Sequence, residues 1–428
     1  AIVRPGPIQG GAVHPYLRRR QKIETVTYPS KDLEVALGRT LGVPIFQEQV
    51  MQVAIIAAGF SPGEADQLRR AMAAWKRKGD LRKYYDRIVN GMLERGYERS
   101  FADAIFEQIK GFGEYGFPES HAASFALLVY TSSWLKCHEP EAFLAALLGS
   151  QPMGFYSPSQ LVQDARRRGV RVLPADVTIS GWDAVLEPMA GAARPAVRLG
   201  LSLLRGMKQE VAERIENARA VRAFESVHDL ARRAQLDRHD LHVLADANAL
   251  SRLAGNRREA LWHSVAAVPE KDMLAAAVGT DDTPALGAPT EGQNIVADYR
   301  SSGLTLRRHP LALLRARLLE KRLMPAAKLN GYRNGQPARG CGIVTVRQRP
   351  GTAKGVIFMT LEDETGNVNV IIWPSLLEKQ RKEVLGASLL AVYGVWQCQG
   401  QVRHLVAKRL VDLSHLLGGL QSESRNFH

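Results

Sequence analysis

The sequence predicts a multidomain protein, mainly helical over its first 265 residues or so, that ends in a small all-β barrel. Three observations carry this. At 428 residues the chain exceeds one ordinary domain, and a prior of about 100–200 residues per domain suggests about three separate cores. Apolar residues recur at helical spacing, with capping residues at the boundaries, as far as about residue 265. From about residue 340 to 412 the apolar period switches to two.

Hydrophobic residues make up 45% of the chain and charged residues 23%, the balance of a folded protein and not of a disordered one. Lysine and arginine outnumber aspartate and glutamate 57 to 43, a formal charge of +14. Ionised groups are rarely buried unpaired, so this excess lies on surfaces and points to a polyanionic partner. Nucleic acid fits, because neutralising phosphates releases counterions and gives affinity without sequence preference. An anionic membrane surface is the competing partner, but no apolar run approaches the roughly 20 residues that span a bilayer. Cys137, Cys341 and Cys398 form no CxxC pair and have no nearby histidine in zinc-ligand spacing, which predicts a reducing cytoplasm and no structural metal. No signal peptide is visible and Ala1 falls inside what reads as a structured segment, so the true N-terminus is expected upstream.

The helical elements can be justified in order. Phe46, Val50, Val53 and Ala57 share one helix face that ends at Gly59, a residue suited to the left-handed position after a helix. Ser61-Pro62-Gly63-Glu64 supplies an N-cap serine, a first-turn proline and a glutamate that closes a capping box. The next helix starts there, with Ala65, Leu68, Met72 and Trp75 as its apolar stripe and Arg69, Arg70, Lys76 and Arg77 turned away from it. Ser100-Phe101-Ala102-Asp103 predicts a further capping box, and the three glycines from Gly111 to Gly116 end that helix. A long helix is expected from Ser120 to Cys137, one from Pro140 to Gly149, one from Ser157-Pro158 to Gly169, and a strand over 170–177.

Shorter helical pieces fill about 196–265, with Leu204-Arg205-Gly206-Met207 as a tight turn between two of them. Residues 264–295, rich in Ala, Gly, Pro, Thr and Asp, read as a linker. Five or so short strands follow, with a helix around 375–384 between the third and fourth and Glu364-Thr365-Gly366-Asn367 as a turn. That pattern fits a Greek-key barrel of the oligonucleotide-binding (OB) type.

Several groups are candidates for chemistry, each with two open readings. The cationic face of Arg69, Arg70, Lys76 and Arg77 suits a triphosphate through charge-assisted bonds, and suits equally a solvated helix surface. The glycine-rich segment before His121 lets backbone approach a ligand at a helix N-terminus, or is only a loop. The turn at Arg205 and Gly206, leading into a helix from about Lys208, resembles a helix-hairpin-helix turn whose amides reach a DNA phosphate. An ordinary helical hairpin is the alternative. A second, degenerate copy spans Leu241 to Leu253, with Asn248 near the glycine position. In the barrel, Phe358, Trp373, Tyr393 and Trp396 accompany Arg347, Arg349, Lys354, Arg403, His404 and Lys408, a mixture suited to stacking bases and following a single-stranded backbone, with at least half of the aromatics expected inside. No paired carboxylates of the kind that hold two metal ions are found on a strand, and there is no Walker loop, nucleophile elbow or zinc motif.

Taken together, Arg4-Pro5-Gly6-Pro7, Phe46-Gln47-Glu48-Gln49-Val50-Met51, Leu68-Arg69-Arg70-Ala71-Met72 and Tyr115-Gly116-Phe117 with Ser120-His121-Ala122 resemble, in the same order, the bacterial C-family DNA polymerases related to the polymerase III alpha subunit. The resemblance continues through Trp134-Leu135-Lys136, Leu173-Pro174-Ala175-Asp176, Asp298-Tyr299 and His309-Pro310 into the barrel. Glu119 to Ala126, Ser150 to Tyr156 and the ending Ser424 to His428 look like the error-prone, damage-inducible branch. The replicative branch carries a further domain after the barrel, so a natural C-terminus is expected here.

The resemblance implies a C-terminal portion with fingers over 1–180, tandem helix-hairpin-helix elements over 181–265, linker and connecting helices over 266–335, an OB barrel over 336–414 and a tail over 415–428. It implies that Arg69 and Arg70 bind the incoming triphosphate, with Tyr115, Gly116 and His121 near its sugar and base and His121 helping to exclude ribonucleotides. Arg205, Gly206, Lys208, Arg347, Arg403 and Lys408 become the candidate DNA contacts. The catalytic carboxylates and the Mg2+ they hold would lie in a palm upstream, so no catalytic or metal-binding residue is assigned here and the fragment alone is expected to be inactive. Primer-template DNA, deoxynucleoside triphosphates and an accessory translesion protein are the implied partners. Residues 268–275 lack the glutamine and the phenylalanine of the family's clamp motif, which puts direct sliding-clamp binding in doubt. The alternatives are a non-catalytic DNA-binding module and the replicative polymerase itself.

Overall fold

Capping chemistry sets most of the helix boundaries in a computed structural model of the chain, which describes residues 13–28, 30–78, 82–112, 118–153, 156–267, 286–350, 355–420 and 425–427. The chain divides into two units, residues 1–134 and 135–428. The boundary between these units falls inside one helix.

The first unit comprises α1 (Val13–Arg20), α2 (Lys31–Leu37), α3 (Gln47–Ala58), α4 (Pro62–Lys78), α5 (Arg82–Glu94), α6 (Arg99–Phe112) and the start of α7 (Glu119–His138). Gly59 ends α3 in the left-handed region at φ 67°, with its N–H on Ile55 O and that of Phe60 on Ala54 O, so the turn at a left-handed glycine satisfies two of the last helix carbonyls. Ser61 and Glu64 then exchange the two bonds of a capping box at 2.7 and 3.2 Å. Ala65, Leu68 and Met72 of α4 are fully buried with Leu33, Val53, Ala57, Ile88, Met92 and Phe106, as the apolar stripe predicts. The Ser100 cap is different. The helix begins two residues earlier, because the Glu98 carbonyl takes the Phe101 and Ala102 amides while the Ser100 hydroxyl donates to the Glu98 carboxylate.

The second unit opens with α8 (Pro140–Gly149) and α9 (Pro158–Arg167), the latter capped by Ser157 and Gln160. The strand expected over 170–177 shrinks to β1 (Val172–Leu173), which Pro174, lacking an N–H, cannot extend. With β2 (Val185–Glu187) and β3 (Ala196–Arg198) it forms a three-stranded sheet in the order β1-β3-β2. Then come α10 (Gln209–Val221), α11 (Val227–Arg233), α12 (Arg238–Asp246), α13 (Ser251–Ala254) and α14 (Arg257–Ala266), packed around Leu201, Ile215, Leu230, Leu241 and Leu244. Gly206 at φ 90° and Asn248 at φ 60° occupy the left-handed positions their turns require.

Asp229 locks this helical region. Its carboxylate accepts from Arg233 Nη1 at 3.0 Å, Arg222 Nη2 at 3.2 Å and the Glu225 amide at 3.3 Å. Burial pushes the carboxyl up, but the bonds from Arg233 and Glu225 outweigh it and hold the group below the usual range. A depressed native pKa gives stability that is present above the unfolded value of about 3.9 and is lost as pH falls through the native one. Asp229→Asn therefore lowers the unfolding temperature at neutral pH, and the gap to wild type closes below about pH 4; a gap that persists there would assign the loss to packing.

Connecting helices α15 (Glu291–Ser302), α16 (Pro310–Glu320) and α17 (Ala326–Leu329) lead to the barrel. Its strands are β4 (Pro337–Gln348), β5 (Ile357–Asp363), β6 (Gly366–Ile372), β7 (Leu389–Gln399) and β8 (Val402–Asp412), with α18 (Pro374–Lys379) and α19 (Arg381–Gly386) between β6 and β7. Neighbours run β5-β6-β8-β7-β4, and β4 pairs back onto β5 to close the barrel. Trp396, Met359, Leu361, Val370, Ile372, Val392 and Leu405 fill it. Gly394 sits at the β7 bulge, where a Cβ would come within 2.0 Å of the Val406 carbonyl oxygen, so no larger residue fits. A short β9 (Arg425–Phe427) runs parallel to β4 in what the sequence reads as tail.

Candidate nucleotide and nucleic-acid interface

The α4 face is built around one carboxylate. Asp66 Oδ1 accepts from Arg69 Nε at 2.9 Å and Nη2 at 2.8 Å, and Asp66 Oδ2 accepts from Arg70 Nε and Nη2 at 2.8 Å each. Arg69 is 40% and Arg70 75% exposed. The bonds from Arg69, helped by the charges of both arginines, hold the Asp66 carboxyl below its ordinary range. Two guanidinium groups on one carboxylate leave a net positive charge, aimed and accessible, which suits an anion with several oxygens. The Lys76 and Arg77 side chains, and Tyr115 and Gly116 altogether, lie outside the described residues.

His121 stands exposed on the first turn of α7, edge-on to Phe125 at 4.4 Å. The helix start is anchored by the Glu119 amide donating to Glu48 Oε2 at 2.9 Å and by Arg39 paired with Glu119 at 2.6 Å. Glu48 belongs to the Phe46–Met51 segment, so two of the motifs in the sequence meet here. Helix α7 buries no residue, and Phe125, Leu127, Leu128, Val129, Tyr130 and Trp134 all stand exposed.

In the hairpin region Gly206 and Lys208 are exposed, but the Arg205 amide is already used, donating to the Ser301 carbonyl at 2.7 Å. Its guanidinium reaches the Arg300 carbonyl at 3.4 Å. Arg205 thus ties the hairpin to the end of α15, and the backbone left to a phosphate begins at Gly206.

The barrel requires a correction at Arg347. This side chain is buried, with Nε donating to Val384 O at 2.8 Å and Nη2 to Ala387 O, so it caps the end of α19 and faces no ligand. Burial lowers its pKa. Arg403 and Lys408 are exposed, Arg403 with one nitrogen on the Asn330 carbonyl at 2.6 Å. Of the four aromatics, Trp396 is core, Trp373 is half exposed, and Phe358 and Tyr393 are intermediate. Sequence reading missed Arg339 and Arg409, which flank the Tyr393 ring at 5.5 and 5.6 Å from its centroid. The signal lies in the register Arg339–Tyr393–Arg409 across β4, β7 and β8, which needs the strand pairing to be known.

These placements separate two kinds of cation. Lys408→Ala should flatten the salt dependence of single-strand binding by about 0.7 in log–log slope, the amount for one phosphate contact. Arg347→Ala should leave that slope unchanged and cost about 1–3 kcal/mol of barrel stability, since two buried carbonyls lose their donor. Salt titration and chemical unfolding of both variants check this; a changed slope in Arg347→Ala would return it to the ligand face.

A closed OB barrel, helical hairpins with left-handed turns and an exposed bis-arginine face define a chain of several modules. Comparison with known families agrees module by module: residues 1–96 match the bacterial DNA polymerase III alpha subunit finger domain, 169–260 a helix-hairpin-helix motif and 341–413 an OB-fold nucleic acid binding domain. Over its whole length the chain is 67% identical to a protein of Burkholderia pseudomallei, 64% to one of Bordetella bronchiseptica and 60% to one of Ralstonia nicotianae, each named error-prone DNA polymerase. The chain belongs to this bacterial C family, with the error-prone members. It spans 41% of the length of each of these three relatives.

Proposed function

We propose that the chain is the nucleotide- and DNA-gripping part of a DNA-directed DNA polymerase of the error-prone, translesion type, acting in DNA repair and damage-induced mutagenesis. The observation that carries this is the unbroken similarity over all of the chain to proteins named error-prone DNA polymerase, in which finger, hairpin and barrel modules follow in order. On this reading Arg69 and Arg70 take the triphosphate of the incoming deoxynucleotide, and His121, with Tyr115 and Gly116, lies beside its sugar and base. Gly206, Lys208, Arg403 and Lys408 hold primer-template DNA through its phosphates.

Magnesium ions would supply the metal assistance for attack of the primer hydroxyl on the α-phosphate. On this reading those ions are held by carboxylates of a palm outside this chain. An accessory translesion protein is the proposed recruiter, in the cytoplasm. Among the described residues no helix is long and apolar enough to cross a membrane. Primer extension by the intact protein in magnesium tests the reading: template-directed addition of nucleotides opposite a damaged base is expected, and no addition on any primer-template would overturn it.

A further inference from the structure

One end of the barrel holds a polar cleft of about 290 Å³, of whose lining only Arg403 has a role above. Asn367 and Asn369 alternate outward along β6, Gln401 lies in the turn between β7 and β8, and Arg403 opens β8 with its guanidinium fixed on the Asn330 carbonyl. Each of these amide side chains offers both donors and an acceptor; the Asn369 oxygen already takes the Thr360 hydroxyl at 3.3 Å, which leaves its NH2 group for a ligand. Trp396 of β7 completes the wall. It is 1% exposed, and its buried indole N–H has no acceptor in the protein. Buried donors are normally paired, and an indole N–H can only donate, so this one lacks a carbonyl-type oxygen.

A second cleft, of about 310 Å³, meets the first at Asn367, which lines both. Its walls carry Phe143, Leu147 and the exposed Tyr156, together with Lys136, Arg167 and Arg168. Three cations stand there against Asp164 and Glu362, so the balance remains positive. Aromatic faces beside cations suit single strands, whose bases stack while the backbone follows the charge. Amide groups suit the polar edges of unstacked bases.

We propose that the barrel end is a base pocket: it takes one nucleobase splayed out of a single-stranded template. A base carbonyl accepts from the Trp396 indole, Asn367, Asn369 and Gln401 meet the polar edge, and the phosphates run past Arg403 towards Lys136, Arg167 and Arg168. This rests on the reading of the barrel as a single-strand binder.

The test is an anisotropy titration of the intact protein with a labelled single-stranded oligonucleotide and with the same strand made abasic throughout its central stretch. Trp396→Phe removes the N–H and keeps a ring in the core, while Asn369→Ala shortens an exposed amide and leaves the core alone. Each should weaken binding to the base-bearing strand about fivefold, the value of one net hydrogen bond, and leave binding to the abasic strand unchanged. Wild-type affinity of both variants for the base-bearing strand overturns the pocket, as does an equal loss on the two strands. Lys408→Ala separates this from the barrel reading. If it weakens binding while the pocket variants do not, the barrel grips single strands without a base pocket; if all three bind as wild type, the barrel reading fails with it.

Discussion

Arg69→Ala and Arg70→Ala in the intact protein should each raise the KM for the incoming deoxynucleotide by about 10- to 100-fold, the range for losing a charge-assisted bond to phosphate. Both side chains are exposed and make their bonds to Asp66 alone among the contacts described, so truncation should leave the folded helix within about 0.5 kcal/mol of wild type. Affinity for primer-template DNA should be unchanged. The Asp66 carboxylate aligns both forks before any ligand arrives. Asp66→Asn should therefore raise the same KM by a smaller factor, through lost alignment and not lost charge. The nucleotide dependence of single-turnover extension, measured beside DNA binding, separates these outcomes. An unchanged KM in both arginine variants would leave the α4 face a basic surface only.

Arg257→Ala should lower stability by about 3–5 kcal/mol, the range for removing one partner of a buried ion pair. Arg257 is buried at the start of α14, donating to Asp298 Oδ1 at 2.6 Å, to Asn294 Oδ1 at 2.5 Å and to the Asp246 carbonyl at 2.9 Å. It joins the end of the hairpin region to α15, the helix that also receives the Arg205 amide. Without it Asp298 keeps Thr305 and the more distant Arg307, and the Asp246 carbonyl loses its donor. Arg257→Met, which keeps volume but not charge, should be no better, because the main cost is the loss of the nearest cation to the Asp298 carboxylate. Urea unfolding of the chain measures both; a loss below about 1 kcal/mol would mean that water or Arg307 takes over the carboxylate.

Helix ends in this protein are written in short-range chemistry, which is why they were legible. Gly59, the Ser61–Glu64 box, Pro140 and the Ser157 cap each act within a few residues, and all four stand where the sequence put them. The barrel was legible because its alternation spans five strands and because Asp363 organises the β5–β6 turn, accepting from the Thr365 and Gly366 amides at 2.7 and 3.0 Å. Tertiary partners were not legible. Arg347 and Arg403 both lie on barrel strands rich in charge, yet one is buried on the end of α19 and the other faces out. Composition cannot separate them, because the deciding acceptors lie about 40 residues away in sequence. The Arg339–Tyr393–Arg409 ladder and the Arg205–Ser301 bond depend in the same way on pairings that only the fold supplies.

Photo-crosslinking of a triphosphate-tethered azido deoxynucleotide to the intact protein on primer-template DNA, read by peptide mass spectrometry, asks most directly where the nucleotide sits. Binding at the Arg69–Arg70 face predicts label within the Pro62–Lys78 helix, dependent on the matching template base and lost in the double arginine variant. Label confined to other peptides, with that helix unmodified and the double variant labelled as wild type, would contradict it.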